Sequence, residues 1–94
     1  MAGSEPKVTR TVVVNNCEGV HARAATLIAE LVRRFDSRVK LANHSDRVEG
    51  TDVLQILSLG AAQGEELVIE ATGHDAEKVL EALARLFADS FAEN

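Results

Sequence analysis

The chain is short of cysteine, proline and aromatic residues and has no long apolar run. Of its 94 residues, one is Cys, one is Pro, three are Phe and none is Trp or Tyr. A lone Cys17 cannot close an internal disulfide, so nothing calls for an oxidising compartment. Apolar runs of a few residues fall far short of the ~20 that cross a bilayer. The start from Met1 to Val14 has no apolar stretch of signal-peptide type. Ten Lys+Arg against fifteen Asp+Glu, a formal charge of −5, leave no basic stripe for a phosphate backbone, and three Phe offer little to stack on bases. Nucleic acid and membrane insertion are excluded as expectations, and a cytoplasmic monomer is expected. What remains is ordinary: 46 % hydrophobic and 27 % charged residues, in a length that suits one domain over 1–94 with 1–6 as a mobile lead-in.

Val8–Val14 is rich in Val and Thr, with Val12 and Val14 on one face, and reads as a strand. Asn15–Gly19 breaks it. From Ala22 to Phe35 the residues Ala25, Ile28, Ala29, Val32 and Phe35 recur at helical spacing, giving an amphipathic helix of about fourteen residues. Arg38–Asn43 alternates, Asn43–Asp46 turns, and Arg47–Glu49 is a short partner strand. Asp52 precedes a short apolar helix over Val53–Leu59, with Gly60 placed to end it. Glu65–Ala71 alternates with Leu67, Ile69 and Ala71 inward. Asp75 is the expected N-cap of a last helix whose stripe is Ala76, Val79, Leu80, Leu83, Leu86 and Phe87, and the acidic tail from Asp89 is expected to fray. Strands with one polar face predict an open antiparallel sheet covered on one side, an α+β two-layer open-faced sandwich. Pattern alone leaves strand order open, because a ferredoxin-like arrangement begins with the same elements.

The informative segment is Gly19-Val20-His21-Ala22-Arg23, where strand and loop give way to a helix. A helix start leaves about four N–H groups without partners and a partial positive charge, which suits an anion. A histidine with an ordinary pKa near ~6.5 is largely neutral at pH 7 and nucleophilic. Arg23 adds a permanent charged fork for phosphoryl oxygens, and Gly19 allows a turn that a β-carbon would obstruct. A phosphoryl-accepting His21 partnered by Arg23 is the reading, with Gly19, Ala22, Arg23 and Ala24 as the phosphoryl-binding set. Cys17 and His21 supply only two ligands, so no metal and no cofactor are expected.

From Asn15 onward the chain resembles the phosphocarrier HPr family of the phosphoenolpyruvate-dependent sugar phosphotransferase system. The family motif Gly-[Leu/Val]-His-x-Arg-Pro-Ala appears as Gly19-Val20-His21-Ala22-Arg23-Ala24-Ala25, and a second block appears in register as Leu57-Ser58-Leu59-Gly60 followed by Ala61-Ala62-Gln63-Gly64. The resemblance implies a four-stranded antiparallel sheet of order 1-4-2-3 under three helices. It also implies that the histidine matching His21 takes a phosphoryl group on Nδ1 from phosphorylated enzyme I, steadied by Arg23, and hands it to IIA-type acceptor domains in sugar uptake or its regulation. Such a protein is a transfer partner without turnover of its own. The docking surface would fall on Thr26, Val53, Leu54, Leu57 and Ser58. Two departures stand out: Ala24 replaces the family proline and adds a free N–H, and Asp52 occupies the serine that a regulatory kinase phosphorylates in many relatives. Asp52 reads first as a helix cap. Its charge also allows an alternative, a regulatory binder for a kinase or transcription regulator acting through the second helix.

Overall fold

A computed structural model describes residues 7–93, so the lead-in expected over 1–6 lies outside the described residues. The element order is β1 (Lys7–Val13), α1 (Ala22–Val32), β2 (Arg38–Ala42), β3 (Arg47–Glu49), α2 (Val53–Ser58), β4 (Glu66–Thr72) and α3 (Ala76–Ala88), then one tight turn over Ser90–Ala92. The strands form one antiparallel sheet in the order β1-β4-β2-β3. That order matches the one implied by the resemblance and selects it over the alternative the pattern left open.

Strand alternation decides what is buried. Val12, Leu67, Ile69, Ala71, Val39, Leu41 and Val48 point to the helix side, each 7 % exposed or less. They meet Ala25, Ile28, Ala29 and Val32 of α1, Ile56 of α2, and Ala76, Val79, Leu80, Leu83 and Phe87 of α3. Each fully buried Leu, Ile or Phe contributes roughly 1.5–3 kcal/mol, so these faces fix the register against a one-residue slip. The other sheet face is open.

Three local expectations are corrected. The first helix stops at Val32 rather than Phe35: Arg34 N–H and Phe35 N–H reach back only three residues, to Leu31 O and Val32 O, and tighten the end. Phe35 still packs on the core, half-buried, from the turn. Asp75 does stand at the N-cap position of α3, but its side chain makes no capping bond to that helix. Its carboxylate instead accepts from Asp36 N–H at 2.8 Å, Ser37 N–H at 2.9 Å and the Ser37 hydroxyl, bonds that pin the α1–β2 turn. The Ser37 hydroxyl, ahead of the Asp36 amide, holds the Asp75 carboxyl below its ordinary value. The tail from Asp89 is also ordered rather than frayed, and it reaches the site.

Candidate functional site at the start of helix α1

Gly19 shapes the approach to α1. Its φ is +70°, and an added β-carbon would lie 2.4 Å from Ala61 O, so only glycine fits. The next residue, Val20, donates its N–H to the same Ala61 O at 2.9 Å, tying this loop to the one after α2. His21 is thereby held in extended conformation as the N-cap of α1.

Both ring nitrogens of His21 have defined neighbours. Arg23 N–H donates to Nδ1 at 3.3 Å, while Nε2 lies 2.6 Å from Glu93 Oε2 and 3.3 Å from Glu18 Oε1. A carboxylate accepts and a backbone N–H donates, so both contacts require the tautomer with its proton on Nε2 and its lone pair on Nδ1. The nucleophilic nitrogen therefore faces the first turn of the helix. In that turn the first backbone bond is Ala25 N–H to His21 O, at 2.8 Å. The amides of Ala22, Arg23 and Ala24 precede it, and a group on Nδ1 would meet them. The side chain of Ala24 is fully buried, so only its backbone can serve there.

Glu93 comes from the far end of the chain, and the tail that carries it is built to do so. Ser90, Phe91 and Ala92 all have positive φ, between 52° and 61°, at about 1–2 kcal/mol each for a left-handed residue that is not glycine. Phe91 offsets this cost. Its ring is 0 % exposed and sits edge-on to Phe87 with centroids 4.9 Å apart. The tail then clamps the site: Arg23 Nη1 donates to Phe91 O at 2.8 Å and to Glu93 Oε2 at 3.2 Å, and the buried Asn16 donates to Gly19 O at 2.6 Å and Glu93 Oε1 at 3.2 Å. Burial alone would raise the Glu93 carboxyl, but hydrogen bonds from His21 and Asn16 and the charge of Arg23 bring it below its ordinary 4.5.

Sequence reasoning thus placed His21, Ala22, Arg23, Ala24 and Gly19 together and missed Glu93, Asn16 and Phe91. The available signal was Phe91, one of only three aromatics and out of place in a fraying tail. Glu18, His21 and Glu93 bring one ligand atom each within 4.8 Å of one another, as do Asp36, His74 and Asp75. Contacts between a histidine Nε2 and a carboxylate bring both groups together, and neither supplies the four ligands of a closed zinc site.

The five expected docking residues fall on α1 and α2. Leu54 is 77 % exposed, Thr26 and Ser58 are exposed, and Val53 and Leu57 are half-buried against the core. The Thr26 hydroxyl donates to Ala22 O at 2.8 Å and so is turned to its own helix. Asp52 caps α2, accepting from Gln55 N–H at 3.1 Å, and Gly60 ends that helix at φ +62°.

A lone-pair nitrogen facing a helix start beside an arginine suits an anion, and comparison with known proteins gives the family. Residues 8–89 match the family model for the PTS HPr component phosphorylation site. The phosphocarrier protein HPr of Treponema pallidum is 38 % identical over 86 residues, 92 % of this chain and 98 % of the relative. The phosphocarrier protein NPr of Escherichia coli is 38 % identical over 88 residues, 93 % and 98 %. A solved HPr from Thermoanaerobacter tengcongensis superposes with a TM-score of 0.88 at 30 % identity, covering 93 % of this chain and 98 % of that one. The chain belongs to the HPr family of phosphotransferase-system phosphocarriers. Among the described residues, no helix is long and apolar enough to cross a membrane.

Proposed function

We propose that His21 Nδ1 is the phosphoryl acceptor of a cytoplasmic relay, loaded by phosphorylated enzyme I and unloaded onto IIA-type acceptor domains. The observation that carries this is the His21 cap, with its Nδ1 lone pair turned to the helix start and its Nε2 proton held by Glu93. In the loading step the lone pair forms an N–P bond as the donor's own bond to phosphorus breaks. The ring becomes positively charged, facing the Glu93 and Glu18 carboxylates. The phosphoryl oxygens meet the amides of Ala22, Arg23 and Ala24 and the Arg23 guanidinium, while Gly19 lets the preceding loop close on Ala61 and so sets where this helix start sits. Arg23 must leave Phe91 O and Glu93 to do so. Partners dock on Thr26, Val53, Leu54, Leu57 and Ser58, where Leu54 offers uncovered apolar surface beside the histidine's helix.

Incubation with phosphoenolpyruvate and enzyme I tests this. One acid-labile phosphate per chain is expected, absent from a folded His21→Ala variant. Undiminished labelling of that variant would remove His21 from the reaction.

A further inference from the structure

The open face of the sheet carries a second concentration of charge, and its sign is opposite to that of the chain. Lys7 on β1, Arg38 and Lys40 on β2, and Arg47 on β3 project from this face, four of the ten Lys+Arg in a chain of net charge −5. Register brings them together: Thr72 of β4 lies between Lys7 and Arg38, and Glu70 lies next to Lys40. These four cations, Glu70 and Thr72 line a depression of about 230 Å³.

The depression already holds one carboxylate. Glu70, with a side chain 17 % exposed, lies on its floor and pairs with Arg47 and, at 3.5 Å, with Lys7. Burial would raise the Glu70 carboxyl, yet the hydrogen bond and charge of Arg47 and the charge of Lys7 bring it below its ordinary value. Lys40 reaches the rim carboxylate Glu49 at 3.7 Å, and among the described residues Arg38 has no carboxylate partner. Four positive charges against Glu70 and Glu49 leave two in excess, in a hollow with half-exposed cationic heads. Core packing does not explain this, because the residues stand on the face away from the helices.

We infer that this depression binds a small phosphorylated anion, carrying about two negative charges, at a site separate from His21. Arg38 supplies a planar fork for phosphoryl oxygens, Lys7 and Lys40 supply point charges, and the Thr72 hydroxyl can donate a hydrogen bond. The site lies at the Lys7 end of β1, whereas the loop to His21 leaves the Val13 end, about 20 Å away along the strand. It is also on the opposite face of the sheet from α1 and α2. A partner seated over His21 and Leu54 leaves the depression open, so both sites can be filled at once.

Titration of the ¹⁵N-labelled chain with inorganic pyrophosphate, free of divalent metal and at about 20 mM ionic strength to limit screening, tests the inference. Saturable shifts are expected at the amides of Arg38, Lys40, Glu70 and Thr72. An Arg38→Gln/Lys40→Gln variant should bind there about tenfold more weakly, while its His21 labelling and the anion-induced shifts at residues 19–24 stay as in the parent chain. Shifts confined to residues 19–24, non-saturating shifts on the sheet, or equal affinity in the variant would each overturn it. So would binding of poly-glutamate on the sheet without binding of pyrophosphate, which would make the patch a protein-docking surface.

Discussion

Helices α1 and α2 start in the same way and are secured differently. Each has a side chain folded back onto its first turn: His21 accepts from Arg23 N–H at 3.3 Å, and Asp52 accepts from Gln55 N–H at 3.1 Å. At α2, among the described residues, the capping carboxylate makes only that local bond, and the ties around it, Glu49 N–H to Gln55 Oε1 at 3.1 Å and Arg33 Nη2 to Thr51 O at 2.8 Å, hold its neighbours rather than the cap itself. At α1 the capping residue is also gripped from 72 residues away by Glu93, whose strap is anchored by Phe91. A carboxylate cap is permanent and needs no support. On the proposed role, a histidine that exposes Nδ1 to a partner and accepts a bulky dianion is best oriented from its other nitrogen, which is where the strap holds His21.

Removing the anchor should make the start of α1 as local as that of α2. Phe91→Ala is expected to cost about 3 kcal/mol, the lower end for a fully buried aromatic, read from urea unfolding. Amide exchange gives the sharper readout. Protection should fall at Ala92 and Glu93, whose N–H groups bond Asp89 O and Ser90 O at 2.9 Å, while Leu67 and Ile69 stay protected. Unchanged protection at 92 and 93 would mean that the polar clamp alone holds the strap.

The reverse test is Asp52→Ala. Loss of the cap should lower stability by about 1 kcal/mol, with Asp52→Ser recovering most of it. Phosphoryl loading of His21 should not change. A loading rate that falls with Asp52→Ala at constant partner affinity would break the distinction between a structural cap and a reactive one.

The two helix starts also differ in how far the sequence announced them. Asp52 and Gly60 bracket the six residues of α2 and its C-cap Leu59, so both ends lie within one local window and are legible to within a residue. The His21-x-Arg23 signal was equally local. The clamp was not, since no periodicity links residue 21 to residue 93, and three successive left-handed residues without a glycine have no propensity signature. Asp75 was legible as an N-cap, but where its carboxylate bonds was not, for the same reason. It has the right residue type at a helix start, but the turn at Asp36 and Ser37, some 38 residues earlier, competes for its carboxylate and wins. Alternation in the strands, by contrast, is enforced by burial along the whole sheet, and it read true to within a residue.

The smallest effect isolates the charge within the clamp. The Glu93 carboxyl titrates below its ordinary 4.5 in the folded chain because His21, Asn16 and Arg23 favour its ionised form over the opposing effect of burial. A depressed folded value means that its contribution is fully present above about 4.5 and is lost as the pH falls through the folded value. Glu93→Gln keeps the shape and removes the titration. Urea midpoints of the two proteins, compared from about pH 6 down to pH 3, should therefore differ by a constant amount at the upper end and converge in acid. Convergence would show that the strap grips His21 and Arg23 through charge, something the α2 start has no counterpart for. A difference that persists unchanged through the acid range would instead assign the grip to shape and to the Arg23 bond with Phe91 O, which survives in both proteins.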